Sequence, residues 1–187
     1  MDTLVYMMNF IKDRNVASIT PTSPVGVKKV CSKIDFSRKS LIVEYGPGTG
    51  VFSRYLLQHM GKDSRLILIE KNENFNAILK EKIRDPRVML FQDSAENVLE
   101  TLKSVKEAKA DYIISGIPFS FLDSELKHRI LHNTHRALKK GGKFLAYQTC
   151  FQTNNHLNVH LQRYFPAVYS NYEMANIPPL RTYEAIK

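Results

Sequence analysis

The sequence has few cysteines and no long apolar run, and each shortage excludes a class of protein. Its two cysteines, Cys31 and Cys150, lack the spacing of a metal site, and no others exist to complete one. No apolar stretch approaches the roughly 20 residues needed to span a bilayer. The N-terminal segment shows neither a basic leader nor a small-residue cleavage site, so we do not interpret it as a signal peptide. The simplest expectation is a protein of the reducing cytoplasm.

Acidic residues are scarce relative to basic ones. The 187-residue chain has 18 Asp and Glu against 27 Lys and Arg, which gives a net charge of +9. This surplus favours an anionic partner, either a nucleic acid or the anionic face of a membrane. The alternative is that the charge serves only solubility. A hydrophobic content of 43% and a charged content of 24% are typical of a globular protein, and the length suits one domain.

Apolar segments alternate with helical patterns from residue 40 onward. The predicted strands span 41–45, 65–70, 87–91, 111–116 and 143–149, and the predicted helices lie near 50–60, 73–83, 94–107 and 123–139. Strands that are apolar throughout, with helices between them, predict a parallel sheet covered on both faces. Two further strands near 167–173 and 180–186, joined by the turn sequence NIPP, predict an antiparallel pair at one end of the sheet.

Three glycines follow the first predicted strand directly. Gly46, Gly48 and Gly50 stand between this strand and the next helix, as at the start of a nucleotide-binding unit. Glycines there let a ligand lie against the main chain. The spacing differs from the G-x-G-x-x-G of dinucleotide folds, and a purely structural turn is the alternative.

Two acidic residues follow the next two strands. Glu70 closes the second strand, where a carboxylate can accept hydrogen bonds from both hydroxyls of a ribose. Asp93 follows the third strand and is suitably placed to accept a hydrogen bond from an adenine amino group. The alternatives are a solvated strand-end glutamate and a helix N-cap. Because the glycine loop and the two acids occur in order on successive strands, together they indicate a nucleoside site more strongly than any one alone.

This series resembles the class I S-adenosylmethionine-dependent methyltransferases over about residues 40–187. The family motif E-x-G-x-G-x-G matches residues 44–50. The resemblance implies an α/β, Rossmann-like fold with a seven-stranded, mostly parallel sheet, a C-terminal antiparallel hairpin and helices on both faces. It also implies S-adenosylmethionine as cofactor, with the glycine loop at its methionine part and Glu44 near its cationic amino end. The implied cofactor-binding residues are Glu44, Tyr45, Gly46, Gly48, Gly50, Glu70, Lys71, Asp93, Ser94 and Ala95.

The acceptor site is expected after the fourth strand, at the sequence SGIPF (115–119). This segment resembles the N-[IL]-P-[FY] motif of ribosomal RNA adenine dimethylases, whose asparagine and a main-chain carbonyl bind the base amino group while the aromatic ring stacks on the base. Alignment on Pro118 puts Gly116 at the asparagine position, so the side-chain acceptor is missing. Those enzymes also carry a C-terminal helical domain, which we do not expect in this chain.

A closer similarity is to bacterial phospholipid N-methyltransferases of the soluble, membrane-associating type, which convert phosphatidylethanolamine to phosphatidylcholine. The similar segments are 16–24, 43–57, 115–119, 146–151 and 176–183. Tyr147 is of interest because aromatic ring faces attract the cation that forms as an amine becomes quaternary. The group that accepts the ammonium proton stays open among Tyr147, water and a lipid phosphate. The predicted catalytic residues are Ser115, Gly116, Ile117, Pro118, Phe119 and Tyr147.

Residues 1–36 are predicted to form an N-terminal helical extension, with residues 37–187 as the methyltransferase domain. A helix over 3–15 carries an apolar stripe followed by Lys12 and Arg14, and a second helix starts near Pro24. A basic amphipathic helix can lie in a headgroup layer. The alternative is that the stripe covers the sheet or the cofactor cleft. The residues of the stripe are Leu4, Met7, Met8 and Ile11.

These features predict an enzyme at the inner face of the membrane, cytoplasmic and peripherally bound. The predicted partners are an anionic membrane surface and a phospholipid substrate, with nucleic acid as the alternative, and no stable protein partner is predicted. No metal site is predicted, because His128, His132 and His135 lie at helical spacing among basic residues and indicate a solvated face.

Overall fold

The computed structural model describes residues 22–149, 156–176 and 179–187, apart from the side chain of His156. The predicted helix over 3–15 therefore lies outside the described residues. The boundary between extension and domain at residue 36 stays a prediction.

Seven strands form one sheet in the order β3-β2-β1-β4-β5-β7-β6. The first five strands run parallel to one another, and β7 pairs antiparallel with both β5 and β6. This confirms the predicted mostly parallel sheet with a C-terminal antiparallel hairpin. The strands are β1 (Leu41–Tyr45), β2 (Arg65–Ile69), β3 (Val88–Phe91), β4 (Ala110–Ser115), β5 (Leu138–Thr149), β6 (Ala167–Glu173) and β7 (Leu180–Ile186).

Several helices begin where the sequence supplies a capping side chain. Ser23 precedes α1 and accepts a hydrogen bond from the Gly26 amide, and Asp123 precedes α5 and accepts one from the Leu126 amide. The helices are α1 (Pro24–Cys31), α2 (Val51–His59), α3 (Glu73–Lys82), α4 (Val98–Ser104), α5 (Ser124–Ala137) and α6 (His156–Gln162), with short 3-10 turns at Ala95–Asn97 and Phe119–Phe121.

Two predicted elements differ from the observed bounds by more than two residues. The helix predicted near 94–107 begins as a 3-10 turn and becomes α-helical only at Val98. Strand β5 starts at Leu138 rather than at residue 143, because α5 ends early and Leu138 pairs with Ala110. A register shift follows before Tyr112 pairs with Lys143, and Gly141 adopts a φ of 75° within this stretch. The added residues are thus an irregular entry into the strand.

Hydrophobic cores lie on both faces of the sheet. Helices α4, α5 and α6 cover the face that carries Val43, Ile113 and Phe144. On the other face, α1 and α2 cover Ile42 and Leu68. Helix α1 contributes three buried side chains to this second core, so the described part of the extension packs against the domain. These three side chains are Val27, Val30 and Cys31.

The parallel strands bring their carboxyl ends to one edge of the sheet. The glycine loop after β1, Glu70 after β2, Asp93 after β3 and the SGIPF segment after β4 all meet there. Since Thr149 pairs with Leu180, the β6–β7 turn lies at the same edge. Ligands of open α/β sheets bind in the crevice outside these strand ends, so this edge is the candidate site.

Candidate active site

The glycine loop has a backbone that other residues rarely adopt. Gly46, Gly48 and Gly50 have φ angles of 62°, 57° and 79°, in the left-handed region. A Cβ atom built on Gly48 would meet nothing within 4 Å, so open space lies over the middle of the loop. Gly50 is also the N-cap of α2. The loop therefore has bare main chain next to the first amides of α2, an arrangement that suits an anionic ligand group, and its contact with the cofactor stays a prediction.

Glu44 is buried directly beneath this loop. One carboxylate oxygen, Oε2, accepts a hydrogen bond of 2.7 Å from the Ser53 hydroxyl. The other oxygen, Oε1, is buried and has no hydrogen-bond partner among the described residues. Burial raises the pKa of Glu44 to about 7; the Ser53 hydrogen bond opposes this rise, whereas the nearby charge of Glu70 adds to it. A buried carboxylate oxygen without a partner suits a cationic amino group.

Glu70 is held against the glycine loop. Its Oε2 accepts from the Gly48 amide at 3.0 Å, and its Oε1 accepts from the Asn72 amide at 2.8 Å. Burial raises its pKa, and the hydrogen bonds from main-chain amides oppose the rise. Lys71, predicted beside it, is exposed. The carboxylate thus links the end of β2 to the loop after β1, and its contact with a ribose stays a prediction.

Asp93 contributes to the local turn after β3. Its Oδ1 accepts hydrogen bonds of 2.7 Å each from the Ser94 amide and the Asn97 side chain. Asp93 therefore stabilises the turn that leads into the 3-10 turn, but it is not the N-cap that the sequence left open, because Ser94 holds that position. Ala95 is buried in the core. Contacts of these three predicted residues with an adenine ring stay predictions.

Tyr45 points away from the loop. Its side chain is fully buried, and its hydroxyl lies 3.2 Å from the hydroxyl of Thr134 on α5. Only the main chain of Tyr45 lies at the candidate site, where its carbonyl accepts from the Gly116 amide. Because side chains alternate between the faces of a strand, Tyr45 and Glu44 face opposite cores.

Ile117 of the SGIPF segment lies next to the glycine loop. A Cβ atom built on Gly46 would lie 3.4 Å from Ile117 Cγ1, and the Ser115 hydroxyl accepts from the Ile117 amide at 3.2 Å. Pro118 precedes the 3-10 turn. Phe119 was expected to face the acceptor, but its ring is 1% exposed and packs edge-on against Phe144 at 6.3 Å. The aromatic ring of this motif is therefore part of the core.

Tyr147 lies over Gly116 of the SGIPF segment. Its ring stacks on Phe52 with centroids 4.3 Å apart, and it covers Gly116 so closely that a Cβ there would lie 2.4 Å from the tyrosine hydroxyl. Burial raises the pKa of Tyr147 well above its usual range, and the charge of Glu44 adds to this. The phenol therefore keeps its proton at neutral pH.

Two residues of the site, Phe52 and Ser53, were not predicted from the sequence. Both lie in the first turn of α2, where Ser53 holds Glu44 and Phe52 supports Tyr147. Their position just after the third glycine was the available signal, since that turn must face the crevice.

The sequence model of a methyltransferase-domain family matches residues 42–142, more than half of the chain. The chain belongs to this family. The enzyme is an S-adenosylmethionine-dependent methyltransferase. The family and the fold confirm the predicted cofactor. The site fits the cofactor, because the space over Gly48 is open and Glu44 keeps one oxygen without a partner.

Two relatives with different acceptors resemble the methyltransferase. It is 22% identical to an ornithine lipid N-methyltransferase of Singulisphaera acidiphila, over 97% of this chain and 94% of that protein. It is 28% identical to ribosomal RNA small subunit methyltransferase A of Mycoplasma capricolum, over 85% of this chain. The chain spans only 58% of the length of that RNA enzyme.

A solved structure shares the fold at low sequence identity. The 1,6-didemethyltoxoflavin-N1-methyltransferase of Burkholderia thailandensis, solved with bound 1,6-didemethyltoxoflavin and S-adenosylhomocysteine, aligns with a TM-score of 0.70 and 16% identity. The alignment covers 98% of this chain and 86% of that one. Among the described residues, no helix has the length and apolarity to cross a membrane.

Proposed function

We propose that the methyltransferase methylates the amine nitrogen of a lipid headgroup, converting phosphatidylethanolamine towards phosphatidylcholine at the membrane surface. The observation that carries this proposal is the end-to-end match with the lipid N-methyltransferase, which covers 94% of that protein. The match with the ribosomal RNA enzyme ends at 58% of its length. The match therefore covers nearly all of a lipid enzyme but little more than half of an RNA enzyme, and this supports a lipid acceptor.

The acceptor side of the crevice supports the same proposal. Recognition of a planar base would use an exposed aromatic ring and a side-chain acceptor at the end of β4. Here the Phe119 ring is buried, and Gly116 has no side chain. An aliphatic amine needs neither group, since it is small and tetrahedral.

Exposed apolar side chains at the rim of the site support action at a membrane. Val25 lies in the first turn of α1, and Met174 lies in the β6–β7 turn; both are exposed. The two segments are joined, because the Ser23 amide donates to the Asn176 side chain at 2.6 Å. Apolar residues at this edge, in a protein with a net charge of +9, suit an anionic headgroup layer. The amphipathic helix over 3–15, outside the described residues, is proposed to extend this contact.

The chain's own residues would position the acceptor and exclude water. S-adenosylmethionine, held by the glycine loop, Glu44 and Glu70, would supply a methyl group to the nitrogen lone pair, and the electrons of the carbon–sulfur bond would stay on sulfur. An ammonium headgroup must lose a proton before its nitrogen can attack. Tyr147 cannot take this proton, because its raised pKa keeps the phenol protonated at neutral pH. The proton therefore passes to water or to a lipid phosphate, and positioning supplies most of the acceleration.

A vesicle assay tests this function directly. Purified full-length protein is incubated with labelled S-adenosylmethionine and vesicles of phosphatidylethanolamine and anionic lipid, and the lipid products are separated. We expect label in methylated phosphatidylethanolamine and none with vesicles of phosphatidylcholine alone, which lack a free amine. Vesicles that contain ornithine lipid provide a second amine acceptor. No label in the lipid extract from either amine would reject the proposal.

The alternative function is adenine N-methylation in ribosomal RNA. The 28% identity to the Mycoplasma capricolum enzyme and the positive charge favour it. Label in ribosomal RNA, with the lipid extract blank, would establish this alternative.

A further inference from the structure

Tyr147 reaches from β5 across the end of β4 to helix α2. Ser115 pairs with Tyr45 on one side and with Ala146 on the other, so Gly116 and Tyr147 are the next residues along β4 and β5. From β5 the tyrosine ring extends over Gly116 to stack on Phe52 of α2, with a centroid distance of 4.3 Å and an interplanar angle of 16°. The ring thus connects the acceptor segment to the helix that follows the glycine loop.

Gly116 is a glycine because of this ring and not because of its backbone. It is absent from the described glycines with positive φ, so an alanine could adopt its conformation. A Cβ atom at this position would nevertheless lie 2.4 Å from the Tyr147 hydroxyl oxygen and 2.8 Å from Cζ. Both distances are far below van der Waals contact. The tyrosine therefore fills the space that a side chain at residue 116 would need.

The Tyr147 hydroxyl is available to a ligand. Among the described residues it makes no hydrogen bond, and Tyr147 as a whole is half-buried. A protonated phenol oxygen has lone pairs that accept a hydrogen bond from an amine N–H. The ring face next to it attracts the positive charge that develops on the nitrogen.

We infer that Tyr147, lying over Gly116, forms the subsite for an aliphatic amine, with its hydroxyl oxygen accepting an N–H of the acceptor nitrogen. The same ring closes the space that a side-chain acceptor for a planar aminopurine would occupy. This inference rests on the proposed function and adds the group that contacts the nitrogen. It assigns the subsite to primary and secondary alkylamines, which have N–H groups when uncharged.

The number of N–H groups makes the inference testable step by step. Uncharged phosphatidylethanolamine has two N–H groups on its nitrogen, its monomethyl derivative has one, and its dimethyl derivative has none. A hydroxyl that accepts an N–H therefore assists the first two transfers but not the third. A purely structural role of Tyr147 would affect all three transfers alike.

The Tyr147→Phe variant removes the hydroxyl and keeps the ring stacked on Phe52. With vesicles of each of the three lipids assayed separately, we expect kcat to fall about tenfold for the first two and less than about twofold for the third, as for one lost hydrogen bond. The affinity for S-adenosylmethionine should stay unchanged. An equal fall with all three lipids, or no fall with any, would overturn the inference while leaving the proposed function standing. No lipid product from the unsubstituted enzyme would reject both.

A double substitution tests the steric part without an activity assay. Gly116→Ala should lower the Tm of the full chain when Tyr147 is present, because the new Cβ collides with the ring. In a Tyr147→Ala background the same substitution should leave the Tm nearly unchanged. Equal losses in the two backgrounds would show that Gly116 does not depend on Tyr147, and the inference would fail.

Discussion

The cofactor half and the acceptor half of the crevice are built in different ways. After β1 and β2, the site consists of main chain with positive φ and of buried carboxylates that hold it. After β4 and β5, it consists of one aromatic side chain that lies over a glycine. The first half suits a cofactor that many enzymes share, whereas the second can change with the acceptor. We therefore expect acceptor choice to depend on few residues, and each variant below acts on one half or on one contact of the site.

The largest effect is expected from Gly46→Val in the cofactor half. A branched side chain is strained at a φ of 62°, and its Cβ would lie 3.4 Å from Ile117. We expect the affinity for S-adenosylmethionine to fall at least about 100-fold, which corresponds to about 3 kcal/mol of binding free energy. Methylation of every acceptor should be lost as a result. Calorimetric titration with S-adenosylmethionine measures this. Gly61→Ala is the matched control, since its Cβ would meet only the Ser64 hydroxyl at 4.0 Å. Normal affinity in the Gly46 variant would place the cofactor elsewhere.

Glu70→Ala is expected to weaken the cofactor half less severely. The substitution frees the Gly48 and Asn72 amides and removes the predicted ribose partner. We expect about tenfold weaker binding of S-adenosylmethionine, as for one charge-assisted hydrogen bond. Glu81→Ala, an exposed acid on α3, should change nothing. Equal affinity of the Glu70 variant and the unsubstituted protein would contradict the assigned role.

Substitutions at the rim of the site should weaken lipid binding without changing the affinity for S-adenosylmethionine. Val25→Ser together with Met174→Ser removes two exposed apolar side chains at the carboxyl edge. Flotation with anionic vesicles should show about fivefold weaker binding, and the affinity for S-adenosylmethionine should not change. Tyr169→Ser, at an exposed position within β6, serves as the control. If the control and the rim variant lose equal affinity, the carboxyl edge is not the membrane-facing edge.

Deletion of residues 1–15 tests the N-terminal helix separately. It should impair vesicle binding more than cofactor binding, because the predicted stripe and its basic residues are removed. Unchanged flotation after the deletion would exclude the proposed amphipathic contact.

The smallest effect is expected from Glu44→Gln, and it depends on pH. Since the folded pKa of about 7 lies above the ordinary value of 4.5, the native protein binds more protons than the unfolded chain between these values and loses stability as pH rises. The glutamine side chain does not titrate, so the variant lacks this loss of stability at high pH. Its Tm without cofactor should exceed that of the unsubstituted protein by about 5 °C at pH 8, and by much less at pH 5. An equal Tm difference at pH 5 and pH 8 would show that Glu44 does not become a buried charged carboxylate as the pH rises.

The sequence predicts the strands better than the direction of the side chains. Strand β1 has the predicted bounds, because its residues are apolar and its end is marked by glycine. Tyr45 and Phe119 belong to the matching motifs, yet both rings face the core. A motif shows which main chain lies at the site, whereas side-chain direction follows from packing against helices far along the chain.

The reason for Gly116 could not be read from the sequence. Comparison with the RNA dimethylase motif shows only that Gly116 lacks the hydrogen-bond acceptor of the asparagine side chain. The fold is needed to show that Tyr147 lies over this glycine. Contacts of this kind, between residues on neighbouring strands and distant in sequence, have no local signal. The contact of Ser53 with Glu44 does have a local signal, because Ser53 lies in the first turn after the glycine loop.

One competition measurement tests the central claim most directly. The full chain is given labelled S-adenosylmethionine together with phosphatidylethanolamine vesicles and deproteinised ribosomal RNA in the same reaction, and both fractions are counted. The account predicts label in the lipid extract and a blank RNA fraction. Label confined to the RNA would contradict it.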